Sequence, residues 1–333
     1  MPEFVYVKLD KSNALGSGGF GRVYLGKTKD DGIDVAVKVP HIRDRVSHEE
    51  RMRMALDLLR EIIVSAKLTS VSDHVAPLVG VTSSPGMGVA NIPLMVLERM
   101  ESSMADVMQK FGRQLGRKGR VDYVRNLLRQ IGTGLQAMHD RGLVHADMKA
   151  DNVLVDTKPL RAVISDFGNT YGVNATKGHL THMGTVVYLA PEALYAFGAK
   201  LFRTAADIWS LGLMLANHAI GFMARYRHGD SLSGAFANFV EVLGPIPERV
   251  RAKYRRGMNN RAIAQAERAY QTAEHAVWGF HRRPAPTEFL ILEALGNPNP
   301  SRDVRNLANL LAGMPHYDPD KRMTIDHVLA HPW

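Results

Sequence analysis

The sequence predicts an α+β fold of two lobes, a small strand-rich N-terminal one and a larger helical C-terminal one. Three observations carry this. Residues 4 to 39 hold the runs FVYVKL, RVYLGK and DVAVKV, which mix β-branched, aromatic and polar residues as strands do. Residues 48 to 68 switch to helical periodicity. Beyond residue 100 the pattern is mostly helical, interrupted between 141 and 192 by loops rich in Gly, Asp, Thr and His.

The elements follow in order. The first run leads into the Gly-rich stretch Gly16-Ser17-Gly18-Gly19-Phe20-Gly21. Lys29-Asp30-Asp31-Gly32, between the second and third runs, predicts a hairpin connection. In the helix, Met54, Leu58 and Ile62, with neighbouring Leu59 and Ile63, are expected near one face. Two more strand-like runs lie near 75 to 82 and 92 to 98. No repeat of fixed period and no low-complexity tail is visible. The expected organisation is one domain over 1–333, with the small lobe in 1–100 and the large lobe in 101–333.

Composition narrows the class. The chain has 333 residues, enough for a large two-lobed domain. Its hydrophobic fraction of 45% and charged fraction of 23% are those of an ordinary globular protein. It has no cysteine, which excludes disulfides and thiolate metal sites. The N-terminus lacks a basic region followed by an apolar core, and no 18-residue apolar run is free of charge. A signal peptide and a membrane span are therefore not expected, and an intracellular place, cytoplasmic or nuclear, is. The net charge of +9 favours acidic partners such as nucleotides or anionic peptides; nucleic acid is not expected. Residues 248 to 283 concentrate the basic character, with nine Arg or Lys against Glu248, Glu267 and Glu274. They read as a charged helical insertion, either a solvated face or a docking surface for an acidic partner.

The Gly-rich stretch can bring backbone N–H groups close to phosphate oxygens at Gly16, Gly18 and Gly21. A Gly-rich turn without a ligand would share the pattern. Val23-Tyr24-Leu25 follows it and favours a strand, so a hairpin lid over phosphates fits better than a strand-to-helix turn. In Val35-Ala36-Val37-Lys38, alternation puts Ala36 and Lys38 on one side of the strand. Ala36 leaves room for a flat base and Lys38 brings a cation to the phosphates. That lysine needs an anion, and Glu61, mid-helix among apolar residues, is the candidate.

His145-Ala146-Asp147-Met148-Lys149-Ala150-Asp151-Asn152 places a base, a cation and an amide in one short loop, and Asp166-Phe167-Gly168 follows. Asp147 suits the proton of a hydroxyl, and Lys149 suits charge on a transferred phosphoryl group. Asn152 and Asp166 offer the oxygen ligands that magnesium takes.

In this order the motifs resemble the catalytic domain of eukaryotic-type serine/threonine protein kinases. Gly184 to Glu192 is similar to the end of that family's activation segment, Asp207 to Gly212 to its central helix, and Asp318 to Arg322 to a stretch whose arginine pairs with the Ala-Pro-Glu glutamate. The resemblance spans roughly residues 10 to 333. It implies a bilobal kinase fold, ATP and Mg2+ as cofactors, and a protein substrate. It also implies an ion pair between Glu192 and Arg322. Adenine is expected between Val23 and Ala36 above and Leu154 below. Glu98 and Met100 are then expected in a segment supplying backbone hydrogen bonds, with Leu97 at the rear of the pocket. Leu243 to Arg249 and the basic insertion look like the insert of the cyclin-dependent, mitogen-activated and LAMMER-type group, although the activation segment does not carry that group's marks.

Two positions depart from the family. Ala146 stands where an arginine usually precedes the catalytic aspartate, and Ser65 stands where an apolar residue is usual. The missing arginine implies activity that does not depend on phosphorylation of Thr170, Tyr171, Thr176 or Thr181; Lys177, His179 and His182 could replace it only in part. The same departures leave a pseudokinase scaffold as the alternative. A kinase-like enzyme acting on small molecules is a third reading.

Overall fold

The computed structural model describes residues 2–18, 21–40, 47–83, 93–112, 114, 116–175, 185–196, 203–220, 228, 231–278 and 301–333. Gly19 and Phe20, Thr176 to Gly184, and Arg282 and Arg283 lie outside these residues.

The N-terminal part is an antiparallel sheet built from β1 (Val7–Gly18), β2 (Gly21–Thr28), β3 (Asp34–Pro40), β4 (Leu78–Thr82) and β5 (Leu94–Glu98). Its strand order is β1-β2-β3-β5-β4. A turn with Gly32 at φ 71° joins β2 to β3, a left-handed conformation that glycine adopts without steric cost. β3 shows why its sequence reads as it does. Val35, Val37 and Val39 pack with Leu94 and Val96 on one side of the sheet. Ala36 and Lys38 face the other side. β1 is longer than the run FVYVKL, and its pairing with β2 shifts register between Leu9 and Gly16.

Helix α1 (His48–Thr69) starts at a capping box. The Ser47 hydroxyl accepts from the Glu50 amide and the Glu50 carboxylate accepts from the Ser47 amide. Its inward side carries Leu58 and Ile62, which pack with Met95. Leu59 and Ile63 do not join them. They are 40% and 52% exposed, so the single apolar face expected from the sequence is in fact two. Met52 and Leu56 complete the outer stripe with them at helical spacing.

The C-terminal part is mainly helical. It contains α2 (Met104–Phe111), α3 (Gly116–His139), α4 (Pro191–Ala196), α5 (Ala205–Ile220), α6 (Leu232–Leu243), α7 (Glu248–Arg255), α8 (Asn260–Trp278), α9 (Arg302–Gly313) and α10 (Ile325–Leu329). Its core is a large cluster that includes Leu127, Ile131, Trp209, Leu213, Phe236 and Phe239. Short strands β6 (Ser102–Ser103), β7 (Leu143–Val144), β8 (Val153–Thr157), β9 (Leu160–Ile164) and β10 (Tyr171–Gly172) line the face next to the N-terminal sheet. The two parts meet along this face: the Ala76 amide donates to the Ile164 carbonyl at 2.8 Å and the Ile164 amide to the His74 carbonyl at 3.0 Å. The fold is thus a bilobal α+β arrangement, with the cleft between sheet and helices.

The segment 248–278 is helical, but its charges are mostly engaged. Arg251 pairs with Glu267 at 2.9 Å and with Glu248 at 2.6 Å. Arg255 pairs with the same two carboxylates. Lys253 reaches Asp318 at 2.8 Å and Asp320 at 2.9 Å. Three of the cations that recommended this segment as a docking surface for an acidic partner are thus paired with carboxylates of the chain itself. Glu248 is a local partner on the same helix, whereas Glu267, Asp318 and Asp320 lie 12 to 67 residues away, beyond the reach of local charge patterning.

Candidate active site

The catalytic-loop residues sit where α5 can hold them. Asp207, in the first turn of α5 and 1% exposed, accepts from the amides of His145 and Ala146, both at 2.9 Å, and contacts His139 Nε2 at 2.9 Å. One buried carboxylate thereby fixes two consecutive peptide groups, leaving Ala146 at φ 66°. An alanine in this region is strained and persists because the surroundings impose the conformation. His145 continues the frame. Its Nδ1 accepts from the Asp147 amide at 3.2 Å, so the proton sits on Nε2, which donates to the Ser165 carbonyl at 3.0 Å.

Asp147 is buried at the end of this frame. Its Oδ1 accepts from the Thr185 amide at 2.8 Å and lies 3.2 Å from the Thr185 hydroxyl. Its Oδ2 lies 3.0 Å from Lys149 Nζ and 3.1 Å from Asn152 Nδ2. Lys149 also donates to Thr185 Oγ1 at 2.9 Å. Thr185 is a contact residue whose role is not visible from the loop motif itself.

Across the cleft, Lys38 Nζ lies 2.6 Å from Glu61 Oε1 and 2.7 Å from Asp166 Oδ1. Sheet, helix and loop are joined by this one buried cation. Burial alone would push the Lys38 ammonium down, but the Glu61 and Asp166 carboxylates hold it above its ordinary value. Burial raises the Asp166 carboxyl, but Lys38 together with His145 and Lys149 outweighs it, so it stays below its ordinary value. Burial pushes Glu61 up, with Lys38 opposing. Asp166 has left-handed backbone angles, φ 62° and ψ 73°.

Asn152 and Asp166 fit a magnesium ion chemically. Asn152 Nδ2 is spent on the Asp147 carbonyl at 2.8 Å and on its carboxylate, which leaves Oδ1 as a free-facing oxygen ligand. Two protein ligands suit magnesium, which keeps waters and phosphate oxygens in its shell. No group of three or more His, Cys, Asp or Glu residues able to hold a metal occurs among the described residues.

The residues expected to line a nucleotide pocket fall into two groups. Val23 pairs with Lys38, and Ala36 with Leu97, in adjacent strands of one sheet. Met100 packs with Val163 and Leu154 on the C-terminal side. The Gly-rich residues divide by cause. A Cβ at Gly16 or Gly18 would meet nothing within 4 Å, whereas one at Gly21 would lie 2.4 Å from the Val39 carbonyl. The glycine at 21 is demanded by β3. A cavity of about 370 Å³ opens beside the loop, lined by Met108, Gln109, Asp151, Tyr188, Asn217 and His218 among others.

Comparison with known proteins decides the family. Residues 9–333 match the protein kinase domain. The chain belongs to the protein kinase family. It is 26% identical over 329 residues to the cell division control protein 2 homolog D of Antirrhinum majus, covering 98% of this chain and 93% of that one. It is 29% identical over 208 residues to the cyclin-dependent kinase B2-1 of Arabidopsis thaliana, covering 62% of this chain and 64% of that one. Similarity to the mitogen-activated protein kinase kinase kinase A of Dictyostelium discoideum is 30% over 214 residues, 64% of this chain but only 21% of that protein. The chain is a serine/threonine protein kinase, and kinases of this family use ATP, typically with Mg2+. No helix among the described residues is long and apolar enough to cross a membrane.

Proposed function

We propose that this kinase is catalytically competent and transfers the γ-phosphate of ATP to serine or threonine hydroxyls of proteins, using Asp147, Lys149, Lys38, Glu61, Asn152 and Asp166. The observation that carries this is the Lys38 bridge to both Glu61 and Asp166. Asp147 orients the acceptor hydroxyl and takes its proton as the oxygen–phosphorus bond forms and the bond to the β-phosphate bridging oxygen breaks. Lys149 offsets charge on the moving phosphoryl group. Asn152 and Asp166 would hold magnesium, which would neutralise phosphate charge when bound. Lys38 contacts the α- and β-phosphates, and Gly16, Gly18 and Gly21 belong to the lid above them. The base lies between Val23, Ala36 and Leu154, with backbone groups of Glu98 and Met100 at its edge and Leu97 behind. The cavity beside Asp151 supports a polypeptide acceptor running past the loop. We take 1–333 as one kinase domain, divided near residue 100.

The test is phosphate transfer from labelled magnesium-ATP to basic and acidic proteins. Wild type is expected to label serine or threonine, and Asp147→Asn and Lys38→Ala to lose several orders of magnitude in turnover. Unchanged turnover in both variants would sink the assignment. A scaffold without catalysis would show labelling in neither wild type nor variants; transfer to sugars or amines alone would mark a small-molecule kinase.

Activity is further proposed to be independent of activation-segment phosphorylation, because Ala146 has no donor for a phosphate. Protein expressed with a phosphatase, and verified unmodified by mass spectrometry over 166–192, should keep its turnover. A loss above tenfold, about 1.4 kcal/mol in barrier, that returns on rephosphorylation would overturn this. One relative is named as a cyclin-dependent kinase and another as a homolog of a cell division control protein. A protein partner of that kind on the outer stripe of α1 accords with the exposure of Met52, Leu56, Leu59 and Ile63. Docking of an acidic partner on 248–283 is proposed only through the exposed Arg249, Arg261 and Arg268. Reversing these three to Glu should then weaken such binding in a salt-dependent manner.

A further inference from the structure

The segment Glu98-Arg99-Met100-Glu101 joins the N-terminal sheet to β6, and side chains tie both of its ends to the β8–β9 hairpin. At the first end, Arg161 on β9 donates from Nη1 to Glu98 Oε1 at 2.5 Å and from Nη2 to Glu98 Oε2 at 3.1 Å. Arg161 Nη1 also lies 3.9 Å from Asp156 Oδ2 and 3.9 Å from the Met100 sulfur. At the second end, Asp156 Oδ1 accepts from the Glu101 amide at 2.9 Å. The Glu101 carboxylate in turn accepts from the Thr157 amide at 2.8 Å and the Thr157 hydroxyl at 2.7 Å.

The hairpin is itself held from the far side. Gln130 on α3 accepts from the Ala162 amide at 2.7 Å and donates to the Leu160 carbonyl at 3.2 Å. β8 also carries Leu154, opposite Val163 in the ladder, and both pack with Met100. One rigid hairpin therefore supplies an apolar wall below the cleft and grips the segment at its back edge. A partly exposed ion pair ordinarily contributes little, but a bidentate guanidinium–carboxylate fork is the arrangement that fixes geometry.

We propose that the β8–β9 hairpin clamps the inter-lobe segment, and that Arg161 is a positioning residue for nucleotide binding, acting through Glu98. This rests on the nucleotide pocket proposed above. Arg161 sets the spacing between the backbone of 98–100 and the wall at Leu154. It touches neither phosphate nor acceptor.

The experiment pairs kinetics with direct binding of ADP by calorimetry. Arg161→Met is expected to raise KM for ATP and the Kd for ADP about fivefold to tenfold, the scale of one lost bidentate contact. kcat and KM for the protein substrate should stay within about twofold. Arg161→Lys should recover only part of the loss, because one ammonium cannot span both carboxylate oxygens. The exchanged pair Glu98→Arg with Arg161→Glu should recover most of it. Unchanged ADP binding in Arg161→Met, while wild type binds ADP, would overturn the clamp alone. A parallel fall in kcat, substrate affinity and melting temperature, unrecovered by the exchanged pair, would also overturn it, since a merely structural arginine behaves that way. Wild type that binds no nucleotide would overturn the pocket itself.

Discussion

Arg322 lays both guanidinium nitrogens against the Glu192 carboxylate, Nη1 to Oε1 at 2.6 Å and Nη2 to Oε2 at 2.8 Å, with the arginine side chain fully buried. The same guanidinium donates to the carbonyls of Ala205 and His316, both at 2.8 Å, and lies 5.2 Å from the Trp209 ring. The pair joins α4, the start of α5 and the turn after Asp318. Removing one member leaves a buried charge uncompensated. Glu192→Ala is therefore expected to lower unfolding free energy by about 3–5 kcal/mol. Denaturant titration checks it, and Glu192→Ala with Arg322→Met should cost less than the sum of the single changes. Additive losses would mean the pair is not coupled.

A pH dependence follows from His218. Burial pushes its imidazole down to about 4, with Asp151 opposing. The unfolded chain takes up this proton near pH 6.5, whereas the folded chain does so only near 4. Stability is then fully present above about pH 7 and falls as pH drops from 6.5 toward 4, by on the order of 3 kcal/mol at most. His218→Gln should flatten this part of the profile. Identical profiles for the two proteins between pH 7 and 4 would contradict the assignment.

Ser65 is 1% exposed and its hydroxyl has no hydrogen-bond partner among the described residues. A buried donor left unmatched costs free energy, so its removal should help. Ser65→Ala is expected to raise unfolding free energy by about 1 kcal/mol, visible as a melting temperature about 1–2 °C higher, with turnover kept. A lower melting temperature would show that the hydroxyl is bonded in solution.

Arg251 connects Glu248 and Glu267 and also lies 4.5 Å from the Tyr270 ring. Arg251→Glu sets a third carboxylate beside two others and strips the ring of its cation. A loss of about 1–3 kcal/mol is expected, against less than about 0.5 kcal/mol for Arg261→Glu on the exposed side of α8. Thermal melts of the two variants decide whether these cations are structural.

The parts of the fold legible in the sequence are those where chemistry and neighbourhood coincide. The alternation of Val35, Ala36, Val37 and Lys38 is a local pattern, and so is the spacing from Asp147 to Asn152. The structure gathers Lys38, Glu61, Asp147, Asn152 and Asp166 around the cleft. What stayed illegible depends on partners far along the chain. Leu59 and Ile63 are as apolar as Leu58 and Ile62, and hydrophobicity does not say which stripe of α1 meets the sheet. For Arg251, Lys253 and Arg255, the sequence does not show that Glu267 of α8 and Asp318 reach them from other elements; only Glu248 is a local partner. Arg161 and Glu98 belong to no motif, and only the crossing of hairpin and linker brings them together.

The alternation in β3 has one more consequence. Valines 35, 37 and 39 fill the apolar layer of the sheet, while Ala36 and Lys38 look into the cleft. A slip of one residue against β5 would reverse every side chain. The ammonium would then land among aliphatic groups while Glu61 and Asp166 lost their counter-ion together. Mispairing of this strand is thus penalised twice, on both surfaces of the sheet, so the lysine that serves chemistry also proofreads how the chain assembles.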